Sequence, residues 1–306
     1  MPTAAPPTNT RQRPWLVPLL CLLAGGLLLG LSSNLAKLAG ELELSPLAFL
    51  YWSISGAALI LLLISALRGN LPPVNGRTLE YYLISAFVGV AGPNLIFFSA
   101  IPRIGAGFVA LTIALPPLLT YAAALALRLE RFQALRAAGV IAALAGTAVL
   151  AGHKLSAPDS DRFWVLLTLV GPVLLAVGNI YRTMRWPAGA SADSLAPGTL
   201  VGAAFMLLGA GLLPGFSLAI PLEHHPALML IGAQAVVFAG QFLLLFLLQK
   251  TGGPVLLSLL GSVGAVVAIP IAVFLQGEAP PDGLFAGAVL IAAGIALLSL
   301  GKARAG

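Results

Sequence analysis

Apolar residues in this chain run in long stretches rather than in alternation. A bilayer core about 30 Å thick is crossed by roughly 20 apolar residues in a helix. Runs of that length, bounded by charge, proline or turn residues, number ten. They lie near 15–37, 46–67, 79–101, 104–127, 134–151, 163–184, 196–215, 226–249, 254–275 and 283–301. They lack the two-residue period of barrel strands, so the pattern predicts an all-α integral membrane fold. The rest is a tail over 1–14, short connections, an outer linker over 153–162 and a tail over 302–306. No connection has room for a further domain.

Composition agrees. Of 306 residues, 59% are hydrophobic and 8% are charged, against about 25% charged in soluble domains. A water-soluble enzyme of this size is excluded. One cysteine, Cys21, excludes a disulfide scaffold. Residues 1–13 are polar and proline-rich with Arg11 and Arg13, in imitation of a secretory signal. The apolar stretch from Trp15 is long and nine more spans follow, which predicts a retained first helix.

The net charge of +6 follows membrane topology. With the N-terminus inside, 12 of the 16 basic residues fall in cytoplasmic segments, leaving Lys37, Arg103, Lys154 and Arg162 outside. Lysine and arginine are retained on the cytoplasmic side during insertion, so both termini are expected inside. No clustered basic face supports nucleic-acid binding.

Shifting the chain by 148 residues aligns 88–150 with 236–298. Glu130, Gly139 and Gly146 then fall on Glu278, Gly287 and Gly294. Glu130 ends the fourth span on the inner side and Glu278 ends the ninth on the outer side. An odd number of spans per half forces that inversion. The expectation is ten transmembrane helices as two inverted five-helix repeats, over 15–152 and 163–301, the plan of many secondary transporters.

These residues resemble the EamA-type transporters of the drug/metabolite transporter superfamily. The resemblance rests on Gly105, Ala106, the pair Pro116–Pro117 and Arg-Leu-Glu-Arg at 128–131. In the second half it rests on Phe274-Leu-Gln-Gly-Glu278 with Gly287 and Gly294. Asn34, Lys37 and Ser45-Pro46 fit the start of the repeat. Leu129 stands where the first repeat usually has glycine. The resemblance implies a bacterial inner-membrane carrier of small solutes, similar to exporters of aromatic and neutral amino acids and drug-like compounds.

Interrupted helices at matching positions of two repeats point to a carrier's binding site. The third span holds Ala91-Gly92-Pro93-Asn94 and the eighth Ala239-Gly240-Gln241-Phe242, in register and near the midplane. Pro93 frees a backbone carbonyl. The amides of Asn94 and Gln241 either line a cavity or bond a neighbouring helix. Asn34 and Asn179 form a second pair, each three residues before a cation, Lys37 and Arg182, and so on one helical face. Those cations either snorkel to the headgroups or mark the outer and inner mouths of a pore. Phe97, Phe98, Phe238, Phe242, Phe246 and Tyr82 crowd the same region, which favours a flat or apolar ligand. Gly139, Gly146, Gly287 and Gly294 read as close-packing surfaces.

Other chemistry is missing. No phosphate-binding loop occurs, so this chain alone does not use ATP. Glu223-His224-His225 are neighbours on a short outer loop and read as solvated rather than metal-binding. No cofactor is implied. The alternatives to a carrier are a membrane-embedded enzyme, which lacks an acid–base or nucleophilic constellation at membrane depth, and a receptor or scaffold. The expected partners are a small-molecule substrate and the lipid bilayer. The sequence sets no oligomeric state, and a monomer is compatible with it. No carboxylate lies mid-span, so facilitated flux is expected rather than obligatory proton coupling.

Overall fold

The computed structural model describes residues 16–128, 131–156, 161–221, 223–279 and 283–303. Glu130 lies outside them. Among the described residues the chain is helical, with no strand. The helices are α1 (Leu16–Glu41), α2 (Pro46–Leu67), α3 (Gly76–Ile104), α4 (Ala106–Ala126), α5 (Ala134–Ser156), α6 (Arg162–Met184), α7 (Ala192–Gly211), α8 (His225–Ser258), α9 (Leu260–Leu275) and α10 (Leu284–Ala303). The first eight contain stretches long and apolar enough to cross a membrane; α9 and the apolar part of α10 are shorter.

Several boundaries differ from the sequence expectation: α1 runs on to Glu41 past the predicted 37, and α7 spans Ala192–Gly211 where 196–215 is predicted. The predicted gap between 249 and 254 is absent, because α8 stays helical to Ser258 and the break comes at Leu259. α5 runs to Ser156, past the predicted 151. A charged side chain such as Lys250 ends a hydrophobic run without removing any backbone hydrogen bond, so the helix has no reason to stop there.

Where helices do stop, the cause is local. α3 starts at a capping box: the Asn75 side chain accepts from the Thr78 amide at 3.0 Å, and Thr78 Oγ1 accepts from the Asn75 amide at 2.9 Å. Gly105, at φ 89° and ψ 148°, turns the chain from α3 into α4 within one residue. Two helices are widened by π turns, α3 at Phe87–Ala91 and α9 at Ile271–Leu275.

In the bundle, α1 packs on α8 and α9, while α6 packs on α3 and α4. α2 packs on α7 and α8, and α7 also packs on α3. α4 meets α9, and α5 meets α10. Large apolar side chains such as Phe205, Met229, Val236 and Val266 stay exposed on the outer surface. Such a surface suits lipid rather than water.

The α5–α10 contact is made backbone to backbone. A Cβ on Gly146 would come within 2.7 Å of the Gly287 carbonyl oxygen, and one on Gly294 within 2.5 Å of that of Gly139. The glycine pattern in the sequence therefore marks a true close approach. Gly294→Val should lower thermal stability in detergent by about 1–3 kcal/mol through overpacking. An unchanged unfolding temperature would show that the two helices separate freely.

Candidate functional site

The break points of the helices converge on one internal cavity. Pro93 has no N–H, so a carbonyl one turn back loses its helical donor, and the backbone there opens into the π turn over Phe87–Ala91. Asn94 follows. Its Nδ2 donates to the Val90 carbonyl at 2.8 Å, and its Oδ1 accepts no hydrogen bond from the described residues. α4 breaks at Ala114–Leu115, ahead of the proline pair Pro116–Pro117. Opposite it, α9 presents Gly261 so closely that any side chain there would overlap the Ile113 carbonyl.

Six helices line the cavity: α1 with Ser32 and Ser33, α3 with Gly89 to Phe98, α4 with Ile113 and Pro116, α6 with Asn179 and Arg182, α8 with Gln241 and Phe242, and α9 with Gly261. Its volume is about 60 Å³. A cavity needs roughly 10–15 Å³ to hold one water, and ligand pockets run to about 300–1,000 Å³. The space therefore admits a few waters. A ligand of ordinary metabolite size does not fit within it.

Of the residues singled out from the sequence, Pro93, Asn94, Phe97, Phe98, Asn179, Arg182, Gln241 and Phe242 line the cavity. The other five do not. Phe238 is wholly buried behind it, stacked on Phe98 at 6.0 Å and against Phe242 at 5.6 Å. Phe246 is also wholly buried, with the Trp186 ring at 6.2 Å. Tyr82 faces α7, its ring filling the space above Gly198 and its hydroxyl donating to the Pro73 carbonyl at 3.2 Å. Asn34 is packing glue: Nδ2 donates to the Gly30 carbonyl at 2.9 Å and to that of Ala268 on α9 at 3.3 Å. Lys37 points to the end of the bundle and pairs with Glu278 at 3.5 Å.

Arg182 departs from both expectations offered for it. It neither snorkels nor sits at a mouth, being only 1% exposed and lining the central cavity. Its Nε donates to Gln249 Oε1 at 3.1 Å and its Nη2 to Asn179 Oδ1 at 2.8 Å. Gln249 Nε2 in turn donates to Thr183 Oγ1 at 3.2 Å, which fixes its oxygen towards the guanidinium. Nη1 lies against Gly89, where an added Cβ would overlap it. Gln241 is 3% exposed, and its Oε1 has no hydrogen-bond partner among the described residues. Sequence reading missed Gln249 because it stands at a span end, and Ser32 and Ser33 because they precede the more prominent Asn34.

At the other end, Glu278 joins three elements. Its carboxylate accepts from the Ala106 amide at 3.0 Å and the Gly107 amide at 2.9 Å, at the N-terminus of α4. It also holds Lys37 of α1. This carboxylate satisfies two orphan donors and complements the helix dipole. Among the described residues, no group of three His, Cys, Asp or Glu side chains is placed to hold a metal.

Helices of this length with a lipid-suited exterior fit an integral membrane protein, and their internal cavity is mainly apolar with a few polar groups. Residues 16–152 match the EamA-like transporter family. The fold resembles that of a solved crystal structure at TM-score 0.65 and 20% identity, over 93% of this chain and 96% of that one. At that identity the likeness speaks for the fold alone. No curated protein matches the sequence.

Proposed function

We propose that the chain is a secondary transporter of small amphipathic metabolites, built as two inverted five-helix repeats that alternate access to the cavity. The observation that carries this reading is how the cavity is made. α1, α3 and α4 of the first half face α6, α8 and α9 of the second, so each helix is matched by the one five places later. Exchanging every helix with its partner five places on also preserves the main packing pairs. Contacts between connecting segments, such as Asn70 with Ser191 and Arg103 with Asp161, join positions expected on the same membrane side. The EamA-like match supports the transport class.

The reading places the termini in the cytoplasm and the chain in a bacterial inner membrane. The cavity wall combines aromatic rings with a few amides, which suits aromatic and neutral amino acids and related compounds. Its lining contains no Asp or Glu, so the flux runs down the solute gradient without obligatory proton coupling. Purified protein in liposomes should carry labelled amino acids or drug-like solutes. Absence of flux for all of them, with folded protein, would remove the reading.

Gln241 gives a residue-level check. A buried amide that pairs with substrate contributes about 1–3 kcal/mol, so Gln241→Ala should weaken transport roughly 5- to 150-fold. Asn94→Ala should act alike. Normal kinetics in both variants would reduce the amides to packing groups.

A further inference from the structure

Arg182 is a cation without a counterion among the described residues. Its hydrogen bonds go to two neutral amides, and neither of the two ion pairs found among the described residues, Lys37–Glu278 and Arg103–Asp161, involves it. A charge taken out of water is costly unless it is paired, and at membrane depth such a residue marks a pathway. The contrast with Lys37 is informative. The two cations occupy matching places, each three residues after an asparagine, yet among the described residues Lys37 has a carboxylate and Arg182 has none. Asn179 and Gln249 hold the guanidinium in place and leave Nη1 towards the cavity at Gly89, where there is no side chain to compete.

We infer that Arg182 is the anchor for a carboxylate carried by the transported solute, whose apolar body lies against Phe97, Phe98 and Phe242. The inference rests on the transporter reading and narrows it. Aromatic solutes bearing a carboxylate are substrates; aromatic cations without one are not. The solute supplies the missing counterion, and a planar guanidinium fork matches a carboxylate in geometry as well as charge.

Four probes separate the chemistry: L-phenylalanine, 3-phenylpropionate, L-phenylalaninamide and phenethylamine. The full-length protein in detergent should be stabilised against heat by the two carboxylates, with apparent affinity at least about tenfold above that for the amide and amine. Liposome uptake should follow the same order. Arg182→Gln should abolish the preference, and Arg182→Lys should restore part of it. Where Arg182→Gln does not fold, Gln249→Glu serves instead. It places a carboxylate at the position now 3.1 Å from Nε, neutralises the anchor without changing its size, and should lower carboxylate affinity while sparing the amide.

Equal binding of amine and carboxylate, or an unchanged carboxylate preference in Gln249→Glu, would overturn the anchor and leave the transporter reading standing. Equal stabilisation by chloride or sulfate would also overturn it. Arg182-dependent carboxylate binding without flux would support the anchor and refute transport. Neither binding nor flux for any probe would remove both.

Discussion

Replacing Glu278 with alanine is expected to open the end of the bundle that this residue closes. Three partners lose their shared acceptor at once: the amides of Ala106 and Gly107 at the start of α4, and the ammonium of Lys37 on α1. Lys37 and Glu278 are only 18% and 13% exposed. Removing one member of a buried pair costs about 3–5 kcal/mol because the other charge is left without compensation. Each 1.4 kcal/mol is a factor of ten, so the open form should gain roughly 100- to 3,000-fold in population. Labelling of Ser33→Cys in a Cys21→Ala background, with an impermeant thiol reagent applied from that side, reads this directly.

Gly105→Ala provides an independent route to the same result. Gly105 has φ 89° and ψ 148°, a region close to glycine-only. A Cβ there would also overlap the Glu278 carboxylate. The variant should lose the α4 cap and add about 1–3 kcal/mol of backbone strain, so it should be less stable than Glu278→Ala. Labelling rates in both variants equal to the parent rate would show that the contact does not hold the end closed.

Much of the scaffold is legible in the sequence because membrane insertion imposes coarse rules. Length of apolar run and charge at its ends depend on composition over about 20 positions. The glycine pairs of α5 and α10 were also readable, because only a missing side chain permits that approach. The site was readable in part. Proline and amides at matching midplane positions stand out against apolar neighbours, and Pro93, Asn94 and Gln241 do meet at one cavity.

The remainder depends on side-chain direction. Asn34 and Asn179 have the same spacing to their cations, but Asn34 turns to the carbonyls of Gly30 and Ala268 while Asn179 turns to Arg182. Spacing does not encode that choice. The position of Arg182 near a span end suggests a headgroup anchor or a pore-mouth charge and nothing deeper. Its burial follows from Gln249, sixty-seven positions away, and from the room left by Gly89.

Gly89 is consequently the position where the smallest change should have a large effect on transport. A methyl group there overlaps Nη1 of Arg182, so Gly89→Ala should push the guanidinium from its place and reduce flux. Gly89→Leu does more, since its side chain enters a cavity of only about 60 Å³. Both the charge-assisted contact to the solute, worth about 1.5–3 kcal/mol, and the space for the solute are lost. Flux in liposomes should fall at least about 100-fold. Overpacking here costs about 1–3 kcal/mol, so monodisperse elution with cooperative thermal unfolding is measured beside the flux and establishes that each variant is folded. A graded loss, partial for alanine and near-complete for leucine, is the expected signature of a solute path beside Gly89. If Gly89→Leu carries solute at the parent rate, the path lies elsewhere and this cavity is a packing defect between the halves.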